Sequence, residues 1–187
     1  MISMPVNQLP ELKDHYLIQY ILGKLVNHVC ECELVSANNI DEMENYPFVT
    51  YNWITLEAPT TPDWLKDHPQ YVCKLQIDVH ATSEIEALQL STKLFNALHE
   101  SNYVRTFEQA QIVPQKITNT SNRTALSGIN YDNDYGFDCS FLVNSNFIFK
   151  KDELNFDYED TAISSIKIQS ENTKDGISVN NKGGNKW

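Results

Sequence analysis

The stretch Tyr71-Val-Cys-Lys-Leu-Gln-Ile-Asp-Val-His-Ala81, followed almost at once by Ser83-Glu-Ile-Glu86, decides how this chain folds. Tyr71, Cys73, Leu75, Ile77, Val79 and Ala81 alternate with Lys74, Gln76, Asp78 and His80. On an extended backbone the first set faces a core and the second faces away. Ser83 stands three residues before Glu86, the spacing at which the hydroxyl accepts from the Glu86 backbone N–H and the Glu86 carboxylate reaches back. A strand therefore runs into a capped helix. That helix carries Ala87, Leu88, Leu90, Leu94, Phe95, Ala97 and Leu98 on one arc and Glu86, Gln89, Lys93, Asn96 and Glu100 on the other, and it ends near Ser101-Asn102. One side of it should pack on a sheet.

Working outward, residues 46–56 form a second strand, with Phe48, Ile54 and Leu56 on one face and Val49, Tyr51 and Trp53 on the other, so both faces are expected to be covered. Pro47 lacks a ladder donor and belongs at the start or edge. Residues 12–27 repeat apolar side chains at helical spacing just after Pro10. Residues 31–44 carry five acids and no base and read as a solvated loop around at most a short strand. A loop is expected from Ala58 through Pro69, which includes Trp64 and His68. Residues 110–120 and 135–144 read as two further strands joined by a Ser/Asn/Gly loop, with Phe137, Cys139, Phe141 and Val143 on one face. The expected class is α+β, a mostly antiparallel, mixed sheet with helices packed on it. Residues 1–149 form the domain, and residues 150–187 form a C-terminal extension, partly disordered or ordered on assembly. Within it Ala162, Ser164, Ile166 and Ile168 alternate as a strand would if a neighbouring subunit supplied an edge.

The chain has 187 residues, 41% of them apolar, and a net charge of -11, enough for one folded domain and contrary to tight nucleic-acid binding, which needs clustered bases. Residues 1–149 hold 18 of the 25 acids and 8 of the 14 bases, so the acidic excess belongs to the domain. The N-terminal residues lack a basic start followed by an apolar run, and no run reaches the roughly 18 residues of a membrane span. Cytosolic synthesis is the expectation, and the four cysteines do not read as a disulfide framework. The sequons at Asn119 and Asn122 are then coincidental.

His28-Val-Cys30-Glu-Cys32 is the most metal-like cluster, since alternate residues of an extended chain point the same way, but no fourth ligand is specified. A small metal-dependent enzyme built on His28, Cys30 and Cys32 remains an alternative reading. The five histidines lie in unrelated contexts, and Leu126-Ser127-Gly128 lacks the lysine and the strand-loop-helix context of a phosphate loop. No catalytic residue, metal ligand or cofactor site is assigned. Tyr46, Phe48, Tyr51, Trp53, Trp64, Tyr71 and Trp187 exceed what a small core needs, and such rings anchor protein interfaces. The subunit-interface candidates are Tyr46, Phe48, Tyr51, Trp53, Tyr135, Phe137, Ile166 and Ile168.

The order of an N-terminal helix, a Tyr46-Pro-Phe-Val-Thr-Tyr51 strand, an alternating strand feeding a capped helix, a strand with Ile112-Val-Pro114 and a strand opening Tyr135-Gly-Phe-Asp138 resembles one family. It is similar to the phage tail terminator (neck terminator) proteins of tailed bacteriophages infecting Gram-positive bacteria. The likeness covers residues 12–143 and leaves the segment after Asn144 unexplained. It implies a structural virion protein, not an enzyme, that closes into a hexameric ring at the head-proximal end of the tail. There it ends polymerisation of the tail tube protein and meets the head-tail connector or stopper. Genomic DNA passes through without specific binding, and no membrane is involved. Another neck subunit, a stopper or head-completion protein, is the alternative within that class. Assembly in the host cytoplasm and residence in the virion neck follow from the likeness.

Overall fold

Helical periodicity after Pro10 becomes α1, Asp14–Cys30, whose Leu17, Ile18, Ile21, Leu22, Leu25, Val26 and Val29 are all buried. Glu31 stops it in the left-handed region (φ 56°), its N–H bonding to the Asn27 carbonyl, and so turns the chain toward the sheet. The computed structural model describes residues 11–42, 45–60, 69–127, 130–145 and 147–158. The acidic stretch holds the short strand β1, Leu34–Ser36, and a 3-10 turn, Ala37–Glu42. The main strands are β2, Phe48–Pro59, and β3, Gln70–Ala81, followed by the helix α2, Glu84–Ala97. Next come α3, Ser101–Gln109, β4, Ile112–Ile117, the short β5, Ser121–Asn122, and β6, Ala125–Ser127, and the long β7, Asn130–Asn144.

The sheet order is β1-β2-β3-β7-β4, with β5 and β6 paired to the first part of β7. Among the described strands only β1 and β2 run parallel, and every other pair is antiparallel. The strands expected at residues 46–56, 71–81 and 135–144 lie side by side in one sheet: Phe48 lies opposite His80, Leu75 opposite Cys139 and Val79 opposite Tyr135. The class is α+β, as expected. Helix α2 lies on β3 and β7, and α1 and α3 complete the covering layer around Leu75, Ile77, Phe137 and Phe141.

Ser83 caps α2 as its spacing demands, accepting from the Glu86 N–H at 3.2 Å. The Glu86 carboxylate accepts instead from the Thr82 hydroxyl at 3.4 Å. The buried line of α2 is Ala87, Ser91, Leu94 and Ala97, whereas Leu88 and Ile85 stay exposed. The apolar arc is thus narrower than expected, because α2 meets the sheet along one line of side chains. Leu94 is fully buried at the centre of that line. Leu94→Ala should therefore lower stability by about 3 kcal/mol, measured as a shift of the urea midpoint. An unchanged midpoint would mean that α2 does not carry the core.

The helix expected to reach residues 101–102 ends at Ala97, and α3 follows after a turn at residues 98–100. Sequence periodicity had placed no helix there. The chain beyond Asn144 also returns to the body. Phe149 N–H bonds to the Leu12 carbonyl at 2.9 Å, and Phe156 packs edge-on to Tyr20. Thr106 Oγ1 donates to the Asn155 carbonyl at 2.9 Å and Asn102 Nδ2 to the Tyr158 carbonyl at 2.8 Å. Leu154 and Tyr158 are buried by these contacts. The segment 149–158 therefore forms a strap along α1. The proposed strand at residues 162–168, with Ile166 and Ile168, lies outside the described residues, as do Trp64, His68, Gly128, Trp187 and the rest of the extension past Tyr158.

Candidate assembly surfaces

The second face of β3, expected to meet water, is partly closed. Asp78 and His80 are both buried. Phe48 stacks on the His80 ring at 4.8 Å, and the Thr50 hydroxyl lies 3.0 Å from His80 Nε2. Toward its middle the same face carries a charged cluster. Arg123, from the turn between β5 and β6, bridges Asp78 and Asp138, with Nη2 2.8 Å from Asp138 Oδ1. Lys74 Nζ holds the other Asp138 oxygen at 2.8 Å, and Gln76 Nε2 donates to Asp78. Burial alone would raise the Asp138 carboxyl, but the hydrogen bonds from Lys74 and Arg123 outweigh it and hold the group below its usual range.

This cluster explains each residue of Tyr135-Gly-Phe-Asp138. Tyr135 OH donates to Glu84 Oε1 at 2.7 Å and accepts from Asn122 Nδ2 at 3.0 Å, tying β7 to the start of α2. Gly136 sits opposite Asp78, and a Cβ there would collide with the Asp78 carboxylate and the Ile77 carbonyl. Phe137 fills the core and stands edge-on to Phe95 at 5.6 Å. Asp138 anchors Arg123. Sequence reasoning missed Arg123, which stands in the Ser/Asn/Gly segment expected as a loop, where the structure forms β5, β6 and the start of β7. The available signal was a mid-strand carboxylate, Asp78, on a face with an unstated partner.

The interface candidates separate by depth. Phe48 and Phe137 are buried within the subunit's own fold and present no free ring. Tyr51 and Trp53 are half-buried and pack against the core, Trp53 meeting the His15 ring edge-on at 4.7 Å. Tyr135 is half-buried, and Tyr46, packed on Phe48 at 5.1 Å, is exposed. The second face of β2 was expected to be covered throughout, yet Ile54 and Leu56 are 47% and 57% exposed, whereas Phe48 and Thr50 are buried. Among the described residues, Val113 on β4 and Ile85 and Leu88 on α2 are further exposed apolar side chains of the elements around the sheet.

The structure does not bring the metal-like trio together. Cys30 is the last residue of α1, so His28 and Cys30 point about 200° apart around the helix axis rather than along one face of an extended chain. The His28 ring packs on Tyr158 at 4.9 Å, whereas the Cys30 thiol faces the Leu90 carbonyl at 3.9 Å. The Cys30 and Cys32 thiols hydrogen-bond each other, which pulls Cys30 down and, with burial, pushes Cys32 up. Burial pushes Cys73 up to about 12. Among the described residues no three His, Cys, Asp or Glu side chains gather as a metal site would need. Elemental analysis of the purified protein should find far less than one zinc per chain; a full equivalent would restore the cluster as a site.

Among the described residues no helix is long and apolar enough to cross a membrane. No curated protein matches the chain. A family model described as "Phage neck terminator protein" matches residues 17–175, which takes in the segment after Asn144 that the likeness of motifs left unexplained. The chain belongs to the phage neck terminator protein family, structural proteins of the neck and tail of the bacteriophage particle.

Proposed function

We propose that the protein forms a hexameric ring at the head-proximal end of the tail, ends polymerisation of the tail tube protein and presents the surface that joins the head-tail connector. The family match across residues 17–175 is the observation that carries this reading. Two features of the chain support it. The sheet has two dissimilar edges, β1-β2 at one end and β4 at the other, and a head-to-tail ring needs two different patches on each subunit. Residues 1–149 also hold most of the acidic excess, which suits a channel wall that lets DNA pass without adhering. In this reading the extension past Tyr158 becomes ordered on assembly.

Negative-stain imaging of the purified protein tests the proposal, with tail tube protein added in a second arm. Six-fold rings are expected, and they should cap tubes at one end and halt their growth. A protein that stays monomeric at high concentration and leaves tube growth unaltered would refute it.

A further inference from the structure

Strand β2 is longer than the strand on its outer edge. β1 pairs only with Val49, Thr50 and Tyr51, so among the described residues 52–59 are paired to β3 alone. Two register shifts against β3 twist this stretch without ending the strand. Edge strands are commonly protected by lysine, proline or irregular pairing. The far edge, β4, has all three: Pro114 has no N–H, Lys116 is charged, and the register shifts between them. The β2 edge has no lysine and no proline before Pro59, and it displays Ile54 and Leu56. Its pairing with β3 is irregular, but residues 52–56 carry neither charge nor proline, and an apolar edge of this kind is a template for an added strand.

We propose that residues 162–168 of a neighbouring copy add to this edge as a strand, an inference that rests on the ring reading above. The segment has the needed pattern, with Ala162, Ser164, Ile166 and Ile168 on one face and no proline. Main-chain hydrogen bonds would supply the affinity, and Ile166 and Ile168 would cover Ile54 and Leu56. The segment also lies within the family match, which runs to residue 175, so it is part of the shared protein and not an appendage peculiar to this chain.

Placement separates the outgoing chain from the open edge. The open edge lies beside the start of α1, where His15 Nε2 is 2.8 Å from the Leu56 carbonyl oxygen. Tyr158, the last described residue, is held at the other end of α1 against His28. The 17 residues of α1 span about 25 Å. The outgoing chain and the open edge are therefore two separate patches on one subunit, the arrangement a head-to-tail contact uses.

The test uses the full chain with Leu56→Cys and Ile166→Cys together; the four native thiols are buried. Ile54→Cys and Ile168→Cys provide the alternative registers. After mild oxidation, a non-reducing gel should show a ladder of covalent oligomers that either single variant lacks. In parallel, Ile166→Pro should leave the melting temperature unchanged and reduce the ring population at least about tenfold at equal concentration, since one lost register contact of 1.4 kcal/mol is already tenfold. Rings in the unmodified protein, with only intrachain disulfides or none in every pairing, would overturn the docking and leave the ring reading intact. Rings undiminished by Ile166→Pro would do the same. Absence of rings from the unmodified protein would overturn both.

Discussion

Gly136→Val should destabilise the protein by about 4 kcal/mol or more, or leave it insoluble. Gly136 pairs with Asp78 across the central strands, and any Cβ at position 136 meets both the Asp78 carboxylate and the Ile77 carbonyl. The strand cannot yield outward, because Phe137 and Cys139 on either side of the next pleat are locked in the core. Overpacking of this kind typically costs about 1–3 kcal/mol. Here it also pushes a buried carboxylate away from Arg123, and a broken buried ion pair adds about 3–5 kcal/mol at its upper limit. With a urea dependence near 2 kcal/mol per molar, the midpoint should fall by about 2 M. Gly23→Ala provides the control. An added Cβ in the middle of α1 meets nothing within 4 Å, so the change should stabilise by about 0.5–1 kcal/mol. Equal responses at the two glycines would show that the close contact at Gly136 is not real.

Arg123→Ala should lower stability by about 1.5–3 kcal/mol at pH 7, the range for a lost charge-assisted contact at a partly exposed cluster, and the deficit should shrink on acidification. The guanidinium is the shared partner of Asp78 and Asp138, and without it two carboxylates on adjacent strands face each other with Lys74 alone to balance them. The sign follows from Asp138, whose folded carboxyl lies below its usual range. A group depressed in this way contributes stability that is fully present above its unfolded pKa, about 3.9, and lost as pH falls through the lower folded value. Parent and variant should therefore differ most near neutrality, begin to approach each other once pH falls below the unfolded value, so that the deficit at pH 3.5 is smaller than at pH 7, and converge only below the depressed folded value of Asp138. Urea titrations at pH 7 and pH 3.5 measure this directly, and a deficit that is constant with pH would mean that Arg123 contributes packing and not charge.

What could be read along the chain was whatever is decided locally. The alternation of β3, the Ser83 cap and the apolar stripe of α1 depend on neighbours within a few residues, and they appear in the structure within a residue or two at most edges. The second face of β3 depends on residues far away. Whether Asp78 and His80 meet water is decided by Arg123, 45 positions later, and Phe48, 32 positions earlier, neither of which any periodicity points to. The metal-like reading of His28, Cys30 and Cys32 failed on a boundary: α1 runs three residues past Asn27, and those residues turn an extended spacing into a helical one. Helix α3 escaped notice because its apolar positions, Tyr103, Val104 and Phe107, span little more than one turn of its nine residues. The strap was illegible for a related reason. Phe149, Leu154, Phe156 and Tyr158 have no period of their own and take their positions from the helices beneath them.

The strap also determines how the subunit yields under load. It follows α1 from Leu12 beside Phe149, past Tyr20 beside Phe156, to His28 beside Tyr158. A pull on the chain beyond Tyr158, directed away from the body, concentrates on one contact at a time, so the strap peels: Tyr158 first, then Phe156, then the Phe149 bridge. Sheet strands joined by many parallel hydrogen bonds resist in shear and let go together. Tension arriving through the C-terminal segment thus opens a re-zippable element, contact by contact, at a force below that needed to shear the β3-β7 pair at the centre of the subunit.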